Sequence, residues 1–535
     1  MCSVSGTSDI SLAVIPKRKR GRLRWTVLIL VQVLILLHVG LWLVFGGETI
    51  TPIEPSEGME FVKNGVINAG TIFFALALIS TWIFGRWFCG WGCHVVFLQD
   101  WCYALLRKSG IRPKPFRVRL LGWVPLCLGL YMFVWPLFYR IALAPWLQPE
   151  LQWPTITTDL TTSNYWESFV TPLMAVPFLF ICGFATVYVL GAKGFCTYGC
   201  PYGGFFSPLD RVSSMRVRVN ENCQQCGKCT AACTSNVRVH EEVHIHSMVV
   251  DSGCMKTMDC IDACPNNALS VGFVSSATGK KIARKTQNYD VTLAGEIGIA
   301  ATFVIGWFSF RGLYASVPML MAVGMSLVST WIIWKGVQLI KEQNVSLHRH
   351  QLKFHGVIKP LGKLVGVFSF LILLFVIQSA AVLLLGVAGN ASVKNGDLQR
   401  ALSYYKLSGP MIDGGIGFAS NPNIDLAMSK IYETKGELQE SERLLRRLNN
   451  FVGEDQRAMM LLGQNLQLHR DPQFVQRFYL DTLKSNEHWT LVWEDYVAWL
   501  RRAGRHEEAI DASFAANTFN PRAPRLQLQW ELLQK

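Results

Sequence analysis

Seven apolar runs, each long enough to cross a lipid bilayer, occupy the first three quarters of the chain: about 24–45, 66–85, 120–139, 169–191, 291–310, 313–334 and 364–387. A helix needs roughly 20 apolar residues to cover a hydrocarbon core about 30 Å thick. Inside that core every backbone group must find its partner within the segment, so such runs are expected to be helices. Composition agrees. Half of the 535 residues are apolar, 16% are charged, and there are 18 Trp and 31 Phe; a soluble protein carries about a quarter charged residues. A disordered chain, a nucleic-acid-binding arm and a purely soluble enzyme are excluded on that ground.

The formal charge of +14 belongs to the first 388 residues, because acids and bases balance in the remainder. Lys and Arg gather in cytoplasmic loops, which gives the surplus a topological meaning. The first run follows Lys17-Arg18-Lys19-Arg20 without a small-residue cleavage site, and reads as a retained anchor. Residues 46–64 then carry Glu48, Glu54, Glu57 and Glu60 against Lys63 alone. Residues 86–119 hold Arg86, Arg107, Lys108, Arg112, Lys114, Arg117 and Arg119, and 150–167 have neither Lys nor Arg. Lys193 and 335–363 are basic again. The alternation predicts a multi-pass protein of the bacterial cytoplasmic (inner) membrane, with a cytoplasmic N-terminus and an extracytoplasmic C-terminal tail.

All 15 cysteines lie between Cys2 and Cys264, which does not suit a secreted disulfide scaffold. Four fall in eleven residues, as Cys223-Gln-Gln-Cys226-Gly-Lys-Cys229-Thr-Ala-Ala-Cys233. Three cysteines at two-residue spacing wrap one iron–sulfur cubane, and the fourth ligates the neighbouring cluster in two-cluster ferredoxins. Structural zinc favours separated Cys-x2-Cys knuckles instead. A second half-motif follows, Cys254-Met-Lys-Thr257-Met-Asp-Cys260-Ile-Asp-Ala-Cys264-Pro265, with Thr257 at the second ligand position. Crossing the fourth ligands assigns Cys223, Cys226, Cys229 and Cys264 to cluster one, a 4Fe–4S cluster. Cys233, Cys254 and Cys260 fall to cluster two. A hydroxyl is a poor substitute for thiolate, so cluster two is a 3Fe–4S cluster, a 4Fe–4S cluster with an oxygen or exogenous ligand, or a vacant site. Residues 265–271 are expected to form the closing turn and strand. His240, His244 and His246 read as a solvated polar strand.

Two further pairs are Phe88-Cys89-Gly-Trp-Gly-Cys93-His94 and Phe195-Cys196-Thr-Tyr-Gly-Cys200-Pro201. Each follows two apolar runs and falls on the cytoplasmic edge by the charge rule. A parallel internal duplication, related by an axis along the membrane normal, brings Cys89, Cys93, Cys196 and Cys200 together. Four thiols there hold a further cluster, a metal ion or a redox disulfide pair; packing on a shared helical face is the structural alternative. Cys2, Cys102, Cys127 and Cys182 read as small apolar residues. His38, the only histidine inside a run, has no intramembrane partner for haem. No acid–base pair, nucleophile triad or phosphate-binding Gly loop points to substrate chemistry.

In the tail, Gly396-Asp-Leu-Gln-Arg-Ala401, Gly436-Glu-Leu-Gln-Glu-Ser441 and Gly504-Arg-His-Glu-Glu-Ala509 repeat one pattern. The last two glycines are 68 residues apart, twice the 34-residue tetratricopeptide period. The middle copy, near Arg470-Asp471-Pro472, is degenerate. The tail resembles a short tetratricopeptide array, a fold that docks partner proteins on a concave face.

The combination of 88–93, 195–203, 223–233 and 254–265 resembles the NapH/NosR/CcoG group of polytopic iron–sulfur proteins over about 24–273. The resemblance implies electron transfer at the cytoplasmic membrane for respiratory enzymes or metal-centre assembly, and copper reduction for oxidase maturation in the CcoG-like branch. Three places depart from the group: His94 replaces a proline, Thr257 replaces a cysteine, and the tail is helical-repeat-like. The expected fold is therefore mainly α. A bundle of about seven spans carries a small α+β dicluster ferredoxin-like insert and an α-helical tail. Expected domains are 1–193 (four spans with the duplicated pairs), 194–275 (ferredoxin-like, cytoplasmic), 276–389 (three spans) and 390–535 (tail). Two functions fit. One is an electron-transfer subunit between a membrane or cytoplasmic donor, such as a quinol-linked one, and a redox partner protein. The other is an assembly or scaffold factor for a respiratory or copper-containing oxidase complex, with the tail as its docking module.

Overall fold

The computed structural model describes residues 19–116, 118–151, 153–162, 165, 172–274, 278, 291–348, 350–452, 455–520 and 525–527. Cys2, Lys17, Arg18, Arg117 and residues 152, 163, 164, 166 and 167 of the loop 150–167 lie outside the described residues. The fold is mainly α, as expected. Among the described residues, five helices are long and apolar enough to cross a membrane: Arg20–Phe45, Leu120–Leu147, Leu293–Phe310, Met319–Lys341 and Pro360–Lys394. Ala69–Phe84 and Met174–Leu190 are apolar but shorter. At 1.5 Å per residue, the 16 residues of Ala69–Phe84 reach about 24 Å.

One span begins later than hydropathy suggested, at Met319 rather than 313. Gly312, Tyr314 and Ala315 have positive φ, and Pro318 precedes the first helical residue. Left-handed backbone ends a helix whatever its side chains, and an apolar Leu-Tyr-Ala looks like span to a hydropathy scale. Within Leu120–Leu147 the π turns Leu130–Val134 and Tyr139–Leu143 stand just before Pro136 and Pro145. Proline has no N–H to donate to the turn before it, and a π bulge absorbs the break.

The chain divides into two compact units: Met1–Phe308 with Pro318–Leu373, and Ser309–Val317 with Leu374–Lys535. The division thus falls inside the last span. In the first unit, Phe74 stacks on Phe133 with ring centroids 5.0 Å apart and meets Phe206 edge-on. Here the helix Ala69–Phe84 packs on the helix Pro201–Val212. The insert is closed by an antiparallel pair, Met215–Val219 with Leu269–Phe273, in register from Met215 opposite Phe273 to Val219 opposite Leu269. The strand after Pro265 is therefore where the spacing put it. Residues Val239–His246 form a helix, not a strand; Val239 and Val243, four apart, both enter the insert's apolar core.

The second unit is a run of helix pairs. Leu398–Ser408 pairs with the end of Pro360–Lys394, Pro422–Thr434 with Leu438–Val452, Gln456–His469 with Pro472–Ser485, and Thr490–Arg502 with His506–Phe519. Gly396, Gly436 and Gly504 sit at the turns with φ of 77°, 76° and 72°, which only glycine adopts at low cost. The third turn, at Arg470-Asp471-Pro472, does without glycine: Asp471 accepts from the Phe474 amide at 2.9 Å and caps the next helix.

Candidate iron–sulfur and thiol sites

Cys223, Cys226, Cys229 and Cys264 line one cavity, together with Gln225, His240, Val243 and Leu269. These are the four residues assigned to cluster one from spacing. Cys226 is exposed and the other three are half-buried. The Ala268 amide donates to Cys264 Sγ at 3.3 Å, and Gln225 Nε2 lies 3.7 Å from Cys223 Sγ. Four thiols around one hollow, with N–H groups directed at sulfur, are a donor set that suits a 4Fe–4S cluster. His240 Nδ1 is 2.8 Å from Thr230 Oγ1, which fixes the ring at the wall.

Cys233, Cys254 and Cys260 belong to the core beneath. Cys254 and Cys260 are buried. Burial pushes the Cys260 thiol well up, and Cys254, Cys233 and Cys229 add to the rise. Burial, with Cys254 next, pushes Cys233 up to about 12. These three thiols share one apolar core, with Cys229 and Cys264 of the cluster-one set packed against it. Thr257 is buried at 5% exposure. Lys256 and Met258, on either side of it, both have positive φ; left-handed backbone at non-glycine residues winds the loop tightly and is held only by its surroundings.

Those surroundings are the membrane-edge cysteines. Cys89 lies in the short helix Trp87–Trp91 and Cys196 in Gly194–Tyr198. Each helix ends on a glycine whose amide donates to a phenylalanine carbonyl, Gly92 to Phe88 at 2.9 Å and Gly199 to Phe195 at 2.7 Å. Cys93 and Cys200 donate to the same two carbonyls at 3.2 and 2.9 Å, and each stands at the N-cap of the next helix, His94–Lys108 or Pro201–Val212. Local structure is repeated 107 residues apart in sequence.

The structure brings all four thiols together. Cys196 packs with Met255 and Val96 against Cys89 and Cys93. Burial pushes Cys93 up to about 12, with Cys89 and Cys200 adding to the rise and the Val95 and Val96 amides opposing it. Cys200 is pushed up to about 11 by burial and then Cys89, opposed by the Gly203 and Tyr202 amides and by Arg86. Iron or another soft metal would reverse this, since a coordinated thiol is deprotonated outright. Among the described residues, no three His, Cys, Asp or Glu side chains form a tight group of the kind that encloses a single ion. Thiolates of one cubane each take a different iron, which needs a wider ring.

Spacing did not reveal the ionic frame. Asp100 accepts from both Arg24 and Lys193, all three buried. Asp210, with no exposed surface, accepts from Lys256 Nζ at 2.8 Å, Arg216 Nη1 at 3.2 Å and the Arg86 amide at 3.0 Å. Arg86 and Lys193 both precede the first cysteine of a pair by three residues, and each is tied to the acid on the other repeat's helix. The repeats are thus cross-braced. Removing one partner of such a buried pair typically costs about 3–5 kcal/mol, because the other charge is left uncompensated.

The insert's second loop sits directly on this edge. Trp91 Nε1 donates to the Lys256 carbonyl at 2.9 Å, Arg24 Nε to the Gly90 carbonyl at 2.7 Å, and Arg86 Nη1 to the Ser252 carbonyl at 3.2 Å. A Cβ on Gly90 would lie 2.1 Å from the Met255 carbonyl oxygen. Glycine at 90 is a condition of this contact. Of the remaining candidates, Cys102 and Cys182 are buried, Cys127 is exposed, and His38 Nε2 lies 3.2 Å from Thr49 Oγ1.

The family profile described as a 4Fe-4S binding domain, Fer4_5, matches residues 69–112 and 172–220. The matched stretches contain both membrane-edge pairs. MauN of Methylorubrum extorquens, a methylamine utilization ferredoxin-type protein, is 25% identical over 265 residues, 43% of this chain and 80% of MauN. YccM of Escherichia coli K12, named for electron transport, is 26% identical over 247 residues, 46% of this chain and 65% of YccM. The ferredoxin-type protein NapH of Haemophilus influenzae is 23% identical over 205 residues, 37% of this chain and 65% of NapH. The likeness to NapH-like ferredoxin-type proteins is borne out; the 4Fe-4S profile supports an iron–sulfur cluster, the relatives' names support an electron-transfer role, and the apolar helices support a membrane setting.

Proposed function

We propose, with the likeness to NapH-like ferredoxin-type proteins as premise, that this chain conducts electrons between a soluble redox partner and the edge of a bacterial cytoplasmic membrane. The thiol sets follow one another from exposed to buried. Cys223, Cys226, Cys229 and Cys264 would hold a 4Fe–4S cluster next to solvent. Cys233, Cys254 and Cys260 would hold a second, three- or four-iron cluster, with Thr257 at the short position. Cys89, Cys93, Cys196 and Cys200 would hold a further redox or metal centre. Bound there, such groups supply reversible one-electron exchange.

The protein's own residues supply the connections and the tuning. Trp91 and Met255 join the second loop to the membrane-edge thiols by a hydrogen bond and by packing. Donors on sulfur, the Ala268 amide and Gln225, favour the more negative reduced state and so raise the potential. Arg86, buried beside Cys89 and Cys200, offsets negative charge at the edge. A quinol-linked donor or acceptor fits the buried end, and a soluble redox protein fits the exposed Cys226 end.

One observation carries this reading: the second loop of the insert is bonded to the helix that bears Cys89. The test is anaerobic purification followed by EPR-monitored reduction. Cys226→Ala should abolish one four-iron signal and slow electron entry from a soluble reductant, leaving the buried centres reducible by a membrane-side donor. Equal loss from both sides would contradict the order proposed.

The helix pairs of the second unit favour an added role. They resemble a tetratricopeptide-like docking array, on the extracytoplasmic side by the charge rule, through which the chain would recruit a redox partner or an oxidase assembly factor. Deleting 396–535 should then leave the clusters in place and lose the partner.

A further inference from the structure

The turn formed by residues 409–418 does not belong to any helix pair. Its backbone is closed on itself: Met411 N donates to Gly417 O at 2.8 Å, Gly417 N to Gly409 O at 2.8 Å, Ile416 N to Leu407 O at 2.9 Å and Gly415 N to Pro410 O at 3.1 Å. Asp413, itself exposed, is paired with Arg447 at 2.5 Å. Ile412 is 93% exposed, Phe418 59% and Met411 55%. A turn closed by its own backbone bonds that pairs its acid with Arg447 and displays isoleucine, methionine and phenylalanine is unusual on a water-facing surface.

Its attachment indicates what covers it. Gln378 Nε2 donates to the Ile416 carbonyl at 2.7 Å, and the Phe418 amide donates to Tyr314 Oη at 2.8 Å. Gln378 Nε2 also reaches Tyr314 Oη at 3.3 Å. Gln378 stands 18 residues along the continuous helix Pro360–Lys394, about 27 Å from its start. Tyr314 lies in the link between the spans Leu293–Phe310 and Met319–Lys341. The first of these is 18 residues long, again about 27 Å. A hydrocarbon core is about 30 Å thick. Tyr314, in the link between two spans, therefore lies at a membrane boundary; its hydrogen bond with Gln378 brings that residue to the same level, and the 409–418 turn is bonded to both. Phe375 stacks on Phe310 at 5.4 Å and approaches Phe418 at 6.0 Å, which packs the turn onto the aromatic side chains of the spans.

We propose that the 409–418 turn is a bilayer-inserted tip: Met411, Ile412 and Phe418 enter the boundary between headgroups and acyl chains and moor the helix pairs to the lipid surface. An amphipathic element with its polar groups satisfied inside and its apolar side chains outside partitions to that depth. The tip is independent of the iron–sulfur reading, and it holds whichever redox partner the protein serves.

The test uses the full chain in phospholipid nanodiscs, with a benzoyl-phenylalanine photocrosslinker placed by Ile412→p-benzoyl-phenylalanine. Matching probes go at Leu371 on the span, 54% exposed, and Leu468 on a tail helix, 61% exposed. Peptides spanning 412 should carry phospholipid adducts at the level seen at 371 and several-fold above that at 468. Adducts no more abundant than at 468, or crosslinks from 412 to a second copy of the chain or to a co-purified protein in place of lipid, would overturn the proposal. If the 412 variant does not assemble, the same probe at Met411 is read by the same criteria.

Discussion

Trp91 Nε1 donates to the carbonyl of Lys256 across 2.9 Å, so the loop that carries Cys254 and Cys260 is bonded to the helix that carries Cys89. Two segments 165 residues apart share one contact, and that contact leaves no room for a side chain at position 90.

Gly90→Val should therefore displace the second loop and spare the first. Its Cβ would fall 2.1 Å from a backbone oxygen, which cannot swing aside as a side-chain tip can. The expected result is loss or broadening of the cluster-two EPR signal with the cluster-one signal unchanged. Uniform retention of both signals would show that the loop does not depend on this seat.

Asp210→Asn tests the ionic frame. It leaves Lys256 and Arg216 buried without a carboxylate, at a cost of about 3–5 kcal/mol. Thermal unfolding in detergent should fall clearly, and iron in the second set of sites should be lost before iron in the first. Asp100→Asn should be comparably destabilising through Arg24 and Lys193.

Thr257→Cys completes a fourth thiolate. If the second cluster has three irons, the variant should gain about one iron per chain and lose the EPR signature of the oxidised three-iron state. Unchanged iron content and spectrum would count against a three-iron cluster.

Acid sensitivity of the helix pairs should trace to Glu442. Burial raises its pKa, but hydrogen bonds from Arg446, His469 and Arg470 outweigh that and hold it below the ordinary value of 4.5. A carboxylate depressed in the folded state stabilises fully above its unfolded value, and that contribution is lost as pH falls through the depressed one. Hydrogen exchange across 438–469 should accelerate in Glu442→Gln relative to the parent at pH 7, and the two should converge once the pH falls below the depressed value. A constant difference at all pH values would assign the effect to packing.

Legibility followed the kind of chemistry involved. Cysteine spacing is local, and it named the four residues that line the first cavity without any knowledge of the fold. The paired Phe-Cys-x-aromatic-Gly-Cys motifs showed the duplication, because each needs the same short helix ended by glycine. Hydropathy found the spans but not their ends: the left-handed Tyr314 and Ala315 look apolar and are not helical. His240, His244 and His246 lie in a helix and not in the expected polar strand, because the four-residue step from Val239 to Val243 buries one helical face. Asp100 and Asp210 gave no signal, since their partners lie far away in sequence. Gln378 gave no signal either, because its partners, Ile416 and Tyr314, come from segments with no motif.

The central claim is that these thiol sets hold redox-active iron in series. The most direct measurement is iron and acid-labile sulfide analysis, with EPR redox titration, on anaerobically purified full-length protein. The account predicts a brown protein with one 4Fe–4S signal lost in Cys226→Ala, a second signal altered in Thr257→Cys, and both reducible in turn. A folded, colourless protein free of iron and sulfide would contradict it.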